Sequence, residues 1–453
     1  MTAPLHFHTI AELAPLVASG HVRSEDLTRA CLEEIAAHSA ALHAFITITA
    51  DQAITQAREL DAETAAGRSR GPLHGIPISL KDLIDLRGAP TTAASRVREG
   101  RVAAADATVT ARLREAGGVF VGKTNLHEFA FGTTSDETAY GAVRNPHDQK
   151  RSPGGSSGGS AVAVVTGMSF ASIGTDTGGS VRIPSAACGT VGLKPAWGEI
   201  PCEGVVPLGR SLDHVGPLAR SVEDAWLLYL VMRGDAAAAR WPIPARRAVK
   251  DLRLGVPRAY FHDVLDDEVR GRFAESLAWL RQAGARTVDV TLPHAAHIPA
   301  VYLHTSLAEA AAYHAESVAS APARYTPGVR LRIEMGRYVL AEDYVRAQHA
   351  RIVLGAEVDA ALAGCDALVL PTLPIPAPPV GAAEVDVAGT PRSVRQMMLR
   401  LTQLFNLTGH PAISIPAGQT HAGLPCGIQF AGHAGATEDL LAVALACEPH
   451  VDA

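Results

Sequence analysis

Two neighbouring stretches, RSPGGSSGGSAVAVVTG (Arg151 to Gly167) and SIGTDTGGSVRIPSAACG (Ser172 to Gly189), carry most of the information in this chain. Gly and Ser are what flexible linkers are made of. A linker separates domains, however, whereas here the glycines lead directly into apolar Ala161 to Val165 and recur at Gly174, Gly178 and Gly179 inside an apolar frame. Sharp turns beside Ser side chains suit a site whose backbone N–H groups approach a substrate closely. Phosphate binding has little support, since there is no GxxxxGK[ST] and the glycine spacing is not that of a dinucleotide fold. Gly154 to Gly158 (GGSSG) formally matches the G-x-S-x-G nucleophile elbow, which requires an apolar strand just before the turn. Asn145 to Pro153 (NPHDQKRSP) is no strand, so a Ser/His/Asp mechanism loses its main support.

A serine without a histidine partner needs another base, and lysine is the known substitute. The chain holds five lysines, Lys81, Lys123, Lys150, Lys194 and Lys250, of which Lys81 ends the apolar approach LHGIPISL (Leu73 to Leu80). Burial there would disfavour the ammonium and lower its pKa from a reference of about 10.4. The competing reading is a structural lysine paired with Asp82 at a strand end.

Outward from these segments, helices and strands alternate. Ser24 is expected to cap a helix with Glu25 and Asp26 in its first turn, and Asp51 to start another that stops at Gly67. Strands are predicted at Pro77 to Leu80, Val119 to Val121, Leu252 to Val256, Thr287 to Val290, Ala367 to Leu370, Ala412 to Ile415 and Gly427 to Phe430. Helices are predicted at Ala107 to Ala116, Ser221 to Met232, Asp267 to Ala283, Glu342 to Ala363, Ser393 to Leu407 and Glu438 to Cys447. This order predicts an α/β fold: a single large α/β/α domain with a mixed central β-sheet covered by helices.

The 453 residues are 47% hydrophobic and 19% charged with a formal charge of −6, which places the chain among ordinary globular proteins. Without a Lys/Arg block, nucleic-acid binding is not expected. Six scattered cysteines form no C-x-x-C pair and read as buried small hydrophobes, and the 19 histidines show no HExxH, so no metal is expected. The N-terminus lacks a basic segment followed by an apolar one, and the longest apolar run, Trp226 to Met232, is far short of a membrane span. A cytoplasmic protein without membrane contact is the expectation.

The segments GGSSGGS (Gly154 to Ser160) and GTDTGGSVRIPS (Gly174 to Ser185) resemble the long signature of the amidase signature family. Flanking blocks agree: PLHGIPISLKD (Pro72 to Asp82), GKTNLHEFA (Gly122 to Ala130), GLKP (Gly192 to Pro195), DHVGP (Asp213 to Pro217), NLTGHPAISIP (Asn406 to Pro416) and GLPCGIQ (Gly423 to Gln429). The likeness runs from about residue 10 and is weakest between about 235 and 390. It implies one domain over 1–453, with N-terminal helices at about 8–66, a catalytic signature core at about 70–220 and a substrate-pocket and C-terminal region at about 235–450. It also implies a Ser–cisSer–Lys triad, with Ser180 as nucleophile, Ser156 as relay behind a cis Gly155–Ser156 bond, and Lys81 as base. The turn Thr177, Gly178, Gly179, Ser180 matches the family's oxyanion hole, with Ser157, Asp176 and Arg182 in support. No cofactor is implied.

Two activities are open on this basis. One is a stand-alone hydrolase of small aryl or alkyl amides, extending to esters, anilides and carbamates (urethanes), acting on a small-molecule substrate as a monomer or homodimer. The other is a subunit resembling the glutaminase subunit of a tRNA-dependent amidotransferase. Such subunits carry a Tyr-rich stretch after an Arg-x-x-x-Gly element, and Arg332 to Gly336 is followed only by Tyr338 and Tyr344. That difference favours the stand-alone hydrolase. Phe129, Phe131, Gly132, Thr133, Met398 and Phe405 are the candidates to line its pocket, and their largely apolar character suits an aryl or alkyl group; the competing reading makes them core positions.

Overall fold

The apolar run at residues 77–81 is a central strand in the computed structural model, which describes residues 4–235 and 247–451, and all five of its side chains are buried. The strands are β1 (Phe45–Ile48), β2 (Pro77–Lys81), β3 (Val119–Thr124), β4 (Ala171–Asp176), β5 (Val191–Lys194), β6 (His214–Ala219), β7 (Arg253–Pro257), β8 (Arg286–Val290), β9 (Ala367–Pro371), β10 (Glu384–Val387), β11 (Thr390–Ser393), β12 (Ala412–Gln419) and β13 (Pro425–Ala431). β10 and β11 form a separate hairpin. The other eleven make one sheet in the order β1-β3-β2-β4-β6-β5-β12-β13-β9-β7-β8. β2 runs parallel to β3 and β4, β7 runs parallel to β8 and β9, and the remaining neighbours are antiparallel. This is the single α/β domain with a mixed sheet that the alternation predicts.

Helices cover both faces. The helices Ser24–Leu42, Val222–Arg233 and Thr437–Cys447 pack in the largest apolar cluster, while Ile298–Ser320 and Ala341–Leu362 pack with residues 394–407 in a second. A smaller third cluster holds Phe129, Phe131, Leu307, Tyr325 and Ile333.

Several local expectations are corrected. Ser24 does not cap its helix: its N–H donates to Asp61 Oδ1 at 2.7 Å, the Glu25 N–H donates to Asp61 Oδ2 at 3.1 Å, and the Ser24 hydroxyl donates to the Gly75 carbonyl at 2.9 Å. A carboxylate from the next helix thus satisfies the free amides of the first turn. The single helix expected at 393–407 is two, Val394–Leu399 and Leu404–Leu407, because at the break the Thr402 hydroxyl turns to the Gly178 carbonyl at 2.6 Å. β4 went unread because Ser172 and Gly174 interrupt its apolar pattern. The Ser172 hydroxyl donates to the Ser79 carbonyl at 3.3 Å, which makes a buried polar residue tolerable. Five of the six cysteines are buried and Cys202 is half-buried.

Candidate active site

β2 and β4 lie side by side with Leu80 opposite Ile173, so the end of β2 meets the end of β4. There Lys81 Nζ donates to Ser156 Oγ at 2.8 Å, to Thr175 Oγ1 at 2.8 Å and to the Thr175 carbonyl at 3.3 Å. All its partners are neutral. Lys81 is fully buried, and burial pushes its pKa down to about 7 against the weaker opposing pull of the Asp176 and Asp213 charges. Near neutrality such an amine can take up a proton from a hydroxyl beside it. The pairing of Lys81 with Asp82 does not occur, because Asp82 takes Lys123 Nζ at 3.0 Å.

The two Gly/Ser stretches clasp one another. The peptide bond between Gly155 and Ser156 is cis, the Ser157 N–H donates to the Ser180 carbonyl at 3.2 Å, and the Ser157 hydroxyl donates to the Thr175 carbonyl at 3.2 Å. The helix Gly158–Val165 starts immediately after. Gly159 permits this: a Cβ there would collide with the carbonyl oxygens of Ala44 and Asn125. The stretch is therefore packed structure, and its glycines mark close approaches of backbone to backbone.

The turn at residues 177–180 is held from outside. The Thr177 hydroxyl donates to Asp213 Oδ1 at 2.6 Å, while the Thr402 hydroxyl holds the Gly178 carbonyl. In a trans peptide unit the N–H points opposite to its C=O, so fixing the Gly178 carbonyl on Thr402 aims the Gly179 N–H away from it. Gly179 has φ of +137°, a conformation that suits glycine. The amides of Gly178, Gly179 and Ser180 have no acceptor among the described residues. Successive free donors beside a serine hydroxyl can stabilise the negative oxygen of a tetrahedral adduct.

Asp176 and Arg182 form the frame behind the turn, and both are fully buried. Asp176 accepts from the Val181 N–H at 3.1 Å and from Arg182 Nε at 3.1 Å and Nη2 at 2.9 Å. Burial alone would raise the Asp176 carboxyl, but the Arg182 guanidinium and Asn406 amide hold it well below the usual carboxylate range. Arg182 spends its other donors on the Thr402 carbonyl at 3.0 Å, Gln429 Oε1 at 2.6 Å and Asn406 Oδ1 at 2.7 Å. Thr175, Asp213, Thr402, Asn406 and Gln429 went unassigned in the sequence. Thr175, Asp213, Asn406 and Gln429 stand in the family-like blocks quoted above, which was the available signal; Thr402 had none.

The pocket candidates part company. Met398 and Phe405 are fully buried in the second cluster, and Phe129 packs against the rings of His314 at 4.3 Å and Tyr325 at 5.5 Å. Gly132 and Thr133 line an open cleft with Glu137, Arg332 and Arg395, and the Arg332 and Arg395 guanidinium groups lie over the Phe131 ring at 5.6 and 5.4 Å. Among the described residues no three His, Cys, Asp or Glu side chains gather as a metal-ligand set, and no helix is long and apolar enough to cross a membrane.

Known proteins resemble the chain along its whole length. The family model Amidase matches residues 26–441. The A subunit of the glutamyl-tRNA(Gln) amidotransferase of Oleidesulfovibrio alaskensis is 36% identical over 99% of this chain and 98% of its own length. Its counterpart from Roseiflexus sp. is 38% identical over 97% of this chain and 95% of its own. A crystal structure of an amidase superposes with a TM-score of 0.92 at 36% identity, covering 98% of this chain and 100% of that one.

These relatives overturn the expectation of a stand-alone hydrolase of aryl or alkyl amides, esters, anilides or carbamates. They overturn with it the expectation of a monomer or homodimer meeting only a small molecule and no nucleic acid, since the relatives are named as subunits of an enzyme of glutamyl-tRNA. The misleading signals have physical explanations. The missing Tyr-rich stretch falls after the helix Pro327–Gly336, at the outer surface, where Tyr338 is 84% exposed. Of the apolar pocket candidates, Met398 and Phe405 lie in the second apolar cluster and Phe129 and Phe131 in the third. What a buried lysine, two glycine-rich turns and full-length likeness agree on is narrower and firmer: the chain belongs to the amidase signature family and is an enzyme that acts on amide C–N bonds.

Proposed function

We propose that the chain is the amide-cleaving A-type subunit of a glutamyl-tRNA(Gln) amidotransferase, a cytoplasmic assembly in which it releases ammonia from glutamine for use by partner subunits. The observation that carries this reading is the 36–38% identity to such subunits over nearly the whole of both chains.

The site chemistry supports it. Neutral Lys81 accepts a proton from Ser156, which accepts one from Ser180, and the Ser180 oxygen attacks the side-chain carbonyl carbon of glutamine. Negative charge gathers on the carbonyl oxygen, facing the free amides of the 177–180 turn; one such donor is worth about 3 kcal/mol in a transition state. As the C–N bond breaks, Ser156 returns a proton to the departing nitrogen, and ammonia leaves. Water then adds to the acyl-enzyme by the same proton path in reverse and glutamate departs. Asp176, Arg182 and Ser157 position the turn without touching substrate.

The test is ammonia release from glutamine by the purified chain, alone and with its partner subunits and tRNA, beside Ser180→Ala. Wild-type release with loss of at least about 10,000-fold in the variant is the expected result, in keeping with nucleophile removal elsewhere. Silence on glutamine under every condition would overturn the reading, and ammonia release persisting in Ser180→Ala would overturn the assignment of the nucleophile.

A further inference from the structure

Ser156 is held at two places, and one of its holders is a hydroxyl outside the triad. Its Oγ faces Lys81 Nζ at 2.8 Å, while its carbonyl accepts from the His127 N–H at 3.1 Å and from the Ser135 hydroxyl at 3.2 Å. The Ser135 oxygen in turn accepts from the Gly158 N–H at 3.1 Å. One fully buried hydroxyl thus uses its hydrogen and a lone pair on the two peptide groups that flank Ser157. Ser157 is the residue bonded to the Ser180 and Thr175 carbonyls. The stretch that Ser135 clamps, residues 156–158, is therefore the one that meets Lys81, Thr175 and the nucleophile.

The backbone at Ser135 gives no reason for a side chain there. Its φ of +55° is a left-handed conformation that favours glycine. A serine kept in such a conformation points to a use for its hydroxyl. The surroundings are shaped to it: a Cβ at Gly158 would lie 2.5 Å from Ser135 Oγ, and one at Gly155 would lie 2.8 Å from it. The loop that carries the hydroxyl is itself braced. Ser152 Oγ donates to the Thr134 carbonyl at 2.7 Å and accepts from the Gly154 N–H at 3.0 Å, and the Val143 N–H donates to the Ser135 carbonyl at 3.0 Å. Ser135 is a fixed point against which the segment carrying Ser156 is set.

We propose that Ser135 is a positioning residue for the relay: its hydroxyl fixes the Ser156 carbonyl so that Ser156 Oγ stands on the proton path between Ser180 and Lys81. The inference rests on Ser156 as the relay, and not on glutamine as the substrate. A misplacement of about 1 Å in such a set costs about 100-fold in rate.

The test is the rate at which a fluorophosphonate labels Ser180, read by intact mass. The Ser180 oxygen bonds to phosphorus, the P–F bond breaks, fluoride leaves and the serine proton passes to Ser156, so labelling needs the proton path but no natural substrate. Ser135→Ala and Ser135→Gly are each compared with wild type, alone and combined with Ser156→Ala. Melting temperature checks folding, and ammonia release from glutamine is followed alongside. Glycine suits the φ of +55° and keeps the test open should the alanine variant fail to fold.

Each Ser135 variant is expected to slow labelling by about 10- to 100-fold, but by less than about twofold once Ser156 is alanine, because nothing is then left to position. Labelling at the wild-type rate in a folded Ser135 variant, or an equal loss with and without the Ser156 hydroxyl, overturns the proposal. A wild type that the probe leaves unlabelled overturns it together with the Ser180 assignment. Labelling that depends on Ser135, with no ammonia from glutamine, would overturn the glutamine reading and leave the positioning role standing.

Discussion

The ends of β2 and β3 carry two fully buried lysines that the fold uses in opposite ways. Lys81 meets only hydroxyls and a carbonyl, whereas Lys123 meets the Asp82 carboxylate at 3.0 Å, the Pro90 carbonyl at 3.0 Å and the Thr91 hydroxyl at 3.1 Å. Register explains the difference. Lys123 stands opposite Leu80, and Lys81 opposite Thr124, so alternation along the strands sends the two amines to opposite faces of the sheet. Asp82 follows Lys81 in the chain and so joins Lys123 on the other face. Burial alone therefore does not make a lysine a base; what stands beside it does.

The contrast can be broken most severely at Lys81. Lys81→Ala is expected to lower kcat/KM for amide cleavage by about 10,000-fold or more, the cost of losing a member of a catalytic set, with the fold retained by circular dichroism. Lys123→Ala should do the reverse. It strands the Asp82 carboxylate in the core at a cost of about 3–5 kcal/mol in denaturant unfolding, with turnover per folded molecule within threefold of wild type. Equal losses of turnover in the two variants would mean that the lysines are not distinct in kind.

Acidity sharpens the same comparison with a smaller effect. With Lys81 at about 7, log kcat/KM should rise by one unit per pH unit below that value and level off above it. Stability should follow the same group. The unfolded lysine keeps its proton up to the ordinary value of 10.5, so between about 7 and 10.5 the unfolded chain binds more protons than the folded one, and this contribution makes stability rise with pH across that window. A flat rate profile between pH 5 and 8 would remove Lys81 as the base. Smallest is Thr175→Val, which deletes one hydrogen bond to the amine. It should cost about tenfold in kcat, as expected for a bond to a charged group, and move the inflection below 7, because the hydroxyl oxygen favours the ammonium.

Much of this was legible before the structure. The apolar strands at residues 77–80, 252–256 and 427–430 announce themselves by composition, and the signature segments offer Lys81, Ser156 and Ser180 as candidates, of which the structure joins Lys81 Nζ to Ser156 Oγ at 2.8 Å. Strand alternation could also have dismissed the Lys81–Asp82 pair, since adjacent residues of a strand face opposite ways. Other features were hidden for physical reasons. In β4 the buried apolar Ala171 and Ile173 alternate with Ser172 and Gly174, and Thr402 sits at a break in a helix that its sequence pattern continues.

The network around Arg182 bears on how the protein is made. Its guanidinium reaches Asp176 six residues back, but also Thr402, Asn406 and Gln429, more than two hundred residues later. A chain still emerging from the ribosome has its lysine, both serines and both glycine-rich turns long before it has the residues that brace them. Synthesis must pass Gln429 before the turn at residues 177–180 has its full set of anchors, and a fragment that ends short of β13 lacks one of them.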